Sequence, residues 1–186
     1  MPVRGGRRLE DEATLMAQVG TGDREALGRL YDRHHGPLFG FFLNLTGCRE
    51  ASADLVHDVF LRVLRYARSF QAGAPFRPWL FRIARNVLAD RRGPAGAEDL
   101  DEELPCPEPG PEVRMAALQD RARLERALGT LPRAQRELLL LSRDPELSAR
   151  DLAGVFGCSE AALRVRVHRA LVALRRAFFS LPGGVR

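Results

Sequence analysis

Between Ser159 and Arg176 the chain reads SEAALRVRVHRALVALRR. Wound as a helix, this stretch gathers Leu163, Val167, Ala170, Leu171, Leu174 and, just beyond it, Phe178 into an inward stripe. Arg164, Arg166, His168, Arg169, Arg175 and Arg176 stay outside that stripe. A guanidinium offers a planar fork of donors that fits guanine edges and phosphate oxygens, so a helix coated this way suits the major groove of duplex DNA. Ser159 and the residues just after it stand where such a helix meets base edges. Charge alone would give only salt-sensitive, unselective affinity.

A second group has different chemistry. In FRPWLFRIARNVLADRR, residues 76–92, Phe76 and Trp79 are interleaved with Arg82, Arg85 and Asn86. Aromatic faces stack on unpaired bases while guanidiniums neutralise phosphates, which is what a single nucleic-acid strand requires. Trp79 and Phe81 serve equally well as core anchors, and the sequence leaves both uses open. A third group, Asp54, His57, Asp58, Leu61 and Arg65, falls on one side of a helix, and an off-stripe leucine among acids suits a protein partner.

Helices must position all three groups, because apolar residues recur at helical spacing almost throughout and nothing reads as strand-rich. The spacing predicts helices over about Asp23–Tyr31, from Pro37 to near Gly47, and over Glu50–Arg68 with Leu55, Val56, Val59, Phe60, Val63 and Leu64 inward. Another runs from about Pro78 to Arg92 with Leu80, Ile83, Ala84, Val87 and Leu88 inward, placing Arg82, Arg85, Asn86 and Ala89 opposite. His34 and His35 read as a helix-end surface feature. Later come an amphipathic helix closed by Leu131 and Pro132, and a helix from Pro132 with Leu138, Leu139 and Leu141 inward. Ser148 and Asp151 have capping-box spacing, Gly157 permits a left-handed turn, and Ser159 can cap the arginine-coated helix. Small Ala153 allows the two helices to approach, completing a helix-turn-helix signature.

Charge divides the chain of 186 residues. Residues 1–92 are net +5, residues 93–114 net −6 and residues 115–186 net +6. All 29 basic residues are arginine, which points to an anionic partner read by guanidinium groups. The segment 93–114 is rich in Pro, Gly and acid and poor in apolar residues; it reads as a flexible acidic linker, favoured over an acidic mimic that docks on the basic domains. The expected fold is therefore all-α: a domain over 12–92, the linker, and a helix-turn-helix domain over 115–180.

Cys48, Cys106 and Cys158 lie far apart without metal-ligand or disulfide spacing, so no cofactor or metal is expected. The amino terminus lacks a signal core and no apolar run nears the roughly 20 residues of a membrane span, so no membrane insertion and a cytoplasmic location are expected.

With these motifs in order, the sequence resembles the sigma-70 family of bacterial RNA polymerase sigma factors, in its short two-domain extracytoplasmic-function group. SADLVHDVFLRVL, residues 52–64, is similar to the core-binding helix of region 2, residues 76–92 to the promoter-melting and minus-ten segment, and LPRAQRELLLL through RVRVHRALVALR to region 4. The resemblance implies that Asp54, Leu55, His57, Asp58, Phe60 and Leu61 meet core RNA polymerase. It implies minus-ten roles for Phe76, Trp79, Arg82, Arg85 and Asn86, and minus-thirty-five roles for Ser159, Arg164, Arg166, His168 and Arg169. Promoter DNA and an anti-sigma factor are its further implied partners. The chain departs from the family pattern at Ala53, His57 and Ala161–Ala162.

Such a factor makes and breaks no covalent bonds. A stand-alone helix-turn-helix regulator is the rival reading, needing neither the 76–92 segment nor polymerase. A nuclease is the poorer rival, since no clustered carboxylates, nucleophile and base, or phosphate-cradling glycine loop occurs.

Overall fold

The computed structural model describes residues 11–91 and 115–181, and among these all regular structure is helical. The amino-terminal helices are α1 (Glu12–Gly20), α2 (Arg24–Thr46), α3 (Arg49–Tyr66) and α4 (Phe76–Asp90), with a single 3-10 turn at Ala67–Ser69. The carboxy-terminal ones are α5 (Met115–Gly129), α6 (Arg133–Ser142), α7 (Ala149–Val155) and α8 (Glu160–Ser180). The acidic segment 93–114 and Cys106 lie outside the described residues.

The sequence expectation of two helices around Pro37 is corrected, because α2 runs through the proline as one element. Asp23 caps its start, accepting from the Glu25 and Ala26 amides at 2.8 and 3.1 Å, and Gly47 ends it at φ 67. An interior proline removes a helix hydrogen bond and costs about 3 kcal/mol. Burial on both sides of it offsets this: Leu30 and His34 before, Leu38, Phe41, Phe42 and Leu45 after. The short helix α1, which the periodicity did not expose, packs on α2 through Leu15, Met16 and Val19.

His34 is accordingly not a helix-end surface residue but lies in the core. Its Nε2–H donates to Glu12 Oε1 at 2.6 Å, and its ring sits 5.0 Å from that of Phe76. This pins α1, α2 and the first turn of α4 together. His35, by contrast, is exposed and stacks on Tyr31 at 5.0 Å.

The core of α1–α4 includes Leu55, Val56, Val59, Phe60 and Val63 from α3, and Phe76, Leu80, Phe81, Ala84 and Val87 from α4. It does not stop there. Leu138 and Leu141 of α6, Leu147, Leu152, Ala153 and Val155 around α7, and Leu163 of α8 belong to the same continuous apolar cluster. The carboxy-terminal helices thus dock on the amino-terminal ones, α6 against α2 and α7 against α4. A small separate cluster of Leu131, Leu139 and Ala170 lies between α6 and α8.

The Glu12 carboxyl is held below the usual carboxylate range, chiefly by the hydrogen bond from His34; partial burial opposes this, while the charges of His34, Arg33 and Arg77 reinforce it. A depressed carboxyl contributes stability that is full above its unfolded value, about 4.3, and is lost as pH falls through the lower folded value. Urea unfolding of the native chain and of Glu12→Gln should therefore differ at about pH 5, with the difference shrinking toward about pH 3. An undiminished difference in acid would refute the assignment.

Candidate nucleic-acid interface

The helix-turn-helix forms as its punctuation predicts. Ser148 Oγ accepts from the Asp151 amide at 3.1 Å while Asp151 Oδ2 accepts from the Ser148 amide at 3.0 Å, so both halves of the capping box are made. Gly157 takes φ 60 and turns the chain after α7. Ser159 Oγ then accepts from the Ala162 amide at 3.2 Å and starts α8. The hydroxyl of Ser159 is thus engaged as a cap, on an exposed residue at the leading end of α8.

Leu163 and Ala170 are buried beneath α8, with Val167, Leu174 and Phe178 partly covered. Leu171, read as part of the inward stripe, is instead 50% exposed, because the helix rests on neighbours only over the narrower strip between Leu163 and Leu174. Arg164, Arg166, His168, Arg169, Arg175 and Arg176 are all exposed. Arg164 pairs at 3.6 Å with Glu160, one turn earlier, and such an exposed pair holds the side chain weakly.

On α4 the group read as one face divides in two. Arg82 and Asn86 are exposed, and with Arg62, Tyr66, Ser69, Trp79 and Ile83 they line a groove between α3 and α4. Trp79 stands at its edge, half-buried, with Phe70 edge-on at 5.2 Å and Phe76 at 5.9 Å. Phe76 itself is buried, so its position in the first turn of α4 makes it a core anchor rather than a surface for bases.

Arg85 turns the other way. Its Nε donates to Glu137 Oε2 at 2.9 Å and its Nη1 to the Val155 carbonyl at 2.7 Å, while its guanidinium lies 4.1 Å from the centroid of the Phe156 ring. Two turns earlier on the same helix, Arg77 bonds Asp144 Oδ2 through Nε and Nη2 at 3.0 and 2.7 Å and pairs with Glu146 at 3.0 Å. Glu137 is buried among leucines and also accepts from Arg133 at 2.7 Å. A buried carboxylate is tolerated because two guanidiniums face it.

The sequence reading missed these partners. A lone acid in RELLLL, whose neighbours turn inward, was the available signal for Glu137; Arg77 and Asp144 left none, being 67 positions apart.

Above Trp79 and Arg82, α7 supplies Arg150, Asp151, Gly154 and Val155 as the other wall of a cleft of about 430 Å³. The α3 face is divided similarly. Asp54, His57 and Leu61 are exposed and Asp58 partly so, with Arg91 3.6 Å from Asp54 and 3.4 Å from Asp58. Leu55 and Phe60 are buried in the core and hold the helix instead of presenting a contact surface. Leu64, expected inward, is 44% exposed, and with Leu61 and Tyr66 it leaves an apolar margin on α3.

Fold and sites together define a two-part helical protein with a helix-turn-helix whose second helix exposes its arginines in one part, and a groove lined by Trp79, Arg62 and Arg82 in the other. The Sigma-70 region 2 family model matches residues 30–93, and the Sigma-70, region 4 model matches residues 121–174. The RNA polymerase sigma factor CnrH of Cupriavidus metallidurans is 35% identical over 169 residues, spanning 84% of this chain and 88% of that protein. The ECF RNA polymerase sigma factor SigM of Mycobacterium tuberculosis is 31% identical over 184 residues, 97% of this chain and 91% of the relative. The solved structure of CnrH in complex with the cytosolic domain of CnrY superposes with a TM-score of 0.69 at 28% identity, covering 91% of this chain and 97% of that one. The chain belongs to the sigma-70 family of RNA polymerase sigma factors, in the extracytoplasmic-function group, whose members direct transcription initiation. No helix among the described residues is long and apolar enough to cross a membrane.

A Cβ added at Gly157 would meet open space, so substituting this residue costs backbone strain alone. Gly157→Ala should lower stability by about 1 kcal/mol and Gly157→Asn by less, read as the shift in urea midpoint. Equal stability of all three chains would remove the left-handed turn from the account.

Proposed function

We propose that this factor, working in the cytoplasm, divides promoter recognition between its two units, taken as 12–92 and 115–180 with the acidic segment between them as a tether. The observation carrying this reading is that Arg164, Arg166, His168 and Arg169 stand exposed on the helix after the glycine turn, on a chain that also holds the Trp79, Arg82 and Asn86 groove. A single DNA-reading helix would serve a simple regulator; a separate strand-binding groove serves promoter opening.

In this reading the α8 arginines and His168 meet minus-thirty-five duplex, with Ser159 fixing where the helix begins. The groove takes the minus-ten strand: Trp79 stacks on a base while Arg82 and Asn86 hold phosphate and base edges. Capturing an unstacked base offsets the few kcal/mol that extrusion costs, and so favours the melted state. No bond chemistry is required of the protein. Asp54, His57, Asp58 and Leu61 form the face for core polymerase, where the Leu64 and Tyr66 margin extends the apolar contact. The tether's length limits which element spacings both units can engage at once.

An anti-sigma factor is the proposed regulator. CnrH has been solved bound to the cytosolic domain of CnrY, and the likeness to it spans both units of this chain.

The test combines the purified chain with bacterial core RNA polymerase, selects bound genomic fragments, and measures run-off transcription from them. Transcription dependent on the chain is expected. Sequence-specific DNA binding without core association would favour a stand-alone regulator instead, and metal-dependent DNA cleavage a nuclease. On the selected promoter, Arg164→Ala should weaken duplex recognition by about 1–3 kcal/mol. Trp79→Ala should leave duplex binding unchanged and slow strand opening, read as permanganate reactivity of unpaired thymines, by a loss of about 1–3 kcal/mol of stacking. Normal opening by the Trp79 variant would remove that residue from the strand site.

A further inference from the structure

Val165 is 49% exposed in the first half of α8 and belongs to neither of the apolar clusters on which that helix rests. At about 100° per residue it stands roughly 150° around the helix from the buried Leu163 and Ala170, so it crowns the outward face. Ala161, exposed one turn earlier, lies on the same side, and helix neighbours four apart bring their Cβ atoms to within about 6 Å. Together they make a short apolar ridge. The polar residues flanking it are basic: Arg164 and Arg166 lie about a quarter turn to either side, and His168 and Arg169 follow on the next turn, all four exposed.

A lone exposed valine is ordinary on a protein surface. This one stands in the middle of the basic face proposed above to enter duplex DNA, where side chains are pressed against base edges. Valine offers no hydrogen-bond donor or acceptor there. It is also β-branched, and in a helix it holds one strongly preferred rotamer, so it gives up little side-chain freedom on contact.

In the major groove the edges of guanine, adenine and cytosine present donors and acceptors, whereas thymine alone presents an apolar group, its C5-methyl. Against the first three, a valine leaves a desolvated polar group unpaired. Against thymine it meets carbon with carbon.

We propose that Val165, backed by Ala161, is a specificity-determining residue that reads the C5-methyl of one thymine in the minus-thirty-five duplex. This rests on the assignment of α8 to that duplex and adds the identity of one base to it. The flanking guanidiniums select guanine edges or grip phosphates, and the ridge between them selects a methyl group.

The probe is the methyl group itself. On the promoter selected with core polymerase, each thymine of the minus-thirty-five duplex is replaced in turn by deoxyuridine, which removes only the C5-methyl, and the affinity of the holoenzyme for each fragment is measured. One replacement should weaken binding by the native chain about fourfold, the equivalent of about 0.8 kcal/mol for one buried carbon of this kind. At that position 5-methylcytosine should be bound better than cytosine by a similar factor. Val165→Ala is an exposed change to a stronger helix former, and circular dichroism checks that the helices are retained. Its ratio of thymine to deoxyuridine affinity should fall close to one. Val172→Ala, which alters another exposed valine two turns further along the same face, should keep the native ratio.

A native chain indifferent to every deoxyuridine would overturn the proposal, and so would a methyl effect that survives in Val165→Ala or vanishes in Val172→Ala. Arg164→Ala on the unmodified promoter tests the underlying reading separately. If it weakens binding while no thymine methyl matters, only the role of Val165 falls; if neither change has an effect, the assignment of α8 to this duplex falls with it.

Discussion

Arg85 binds three acceptors at once, a carboxylate, a main-chain carbonyl and an aromatic face, each from the carboxy-terminal half of the molecule. The relation of the two halves hangs on this. A guanidinium brought into a partly buried interface must have its donors satisfied, and removing a partner from such a group costs several kcal/mol, far more than an exposed pair contributes. Glu137 carries the reciprocal constraint, because its burial is tolerable only between Arg85 and Arg133. The meeting of α4 with α6 and α7 therefore combines this charge geometry with the continuous apolar cluster that includes Leu138, Leu141, Leu147, Leu152, Ala153 and Val155.

A similar constraint operates at the other end of the interface. Glu12, His34 and Phe76 tie α1 and α2 to the first turn of α4, and Arg77, next in the chain, reaches across to Asp144. The start of α4 is thus held from both sides. A helix anchored so firmly can present Trp79, Arg82 and Asn86 in a defined arrangement, which the groove proposed to take a single strand needs because it is assembled from α3, α4 and the turn between them.

Much of the fold was legible because amphipathic periodicity and caps are local. Ser148, Asp151, Gly157 and Ser159 announced the helix-turn-helix from their order alone, and the structure forms each of those caps and turns. Pro37 misled for an equally local reason: the backbone rule that ends helices at proline is outweighed here by Leu30, His34, Leu38 and Phe42 packing on either side, and that burial depends on α1 and α3. His34 was misplaced by the same error. Leu55, Phe60 and Phe76, expected at contact surfaces from their place in the motif, are buried, since motif order does not say which side of a helix its neighbours cover.

The helices, the two basic units, the acidic segment between them and the family are all written in spacing, composition or motif order, so the chain's residues suffice to read them. That Arg82 and Asn86 face outward while Arg85, on the same helix, is bound to Glu137 follows from tertiary packing alone. The pairing spans 52 positions, and a helix surface offers an arginine no local reason to prefer one direction. The choice is made by which neighbouring surface supplies a carboxylate at hydrogen-bonding distance, and it exists only once the two halves meet.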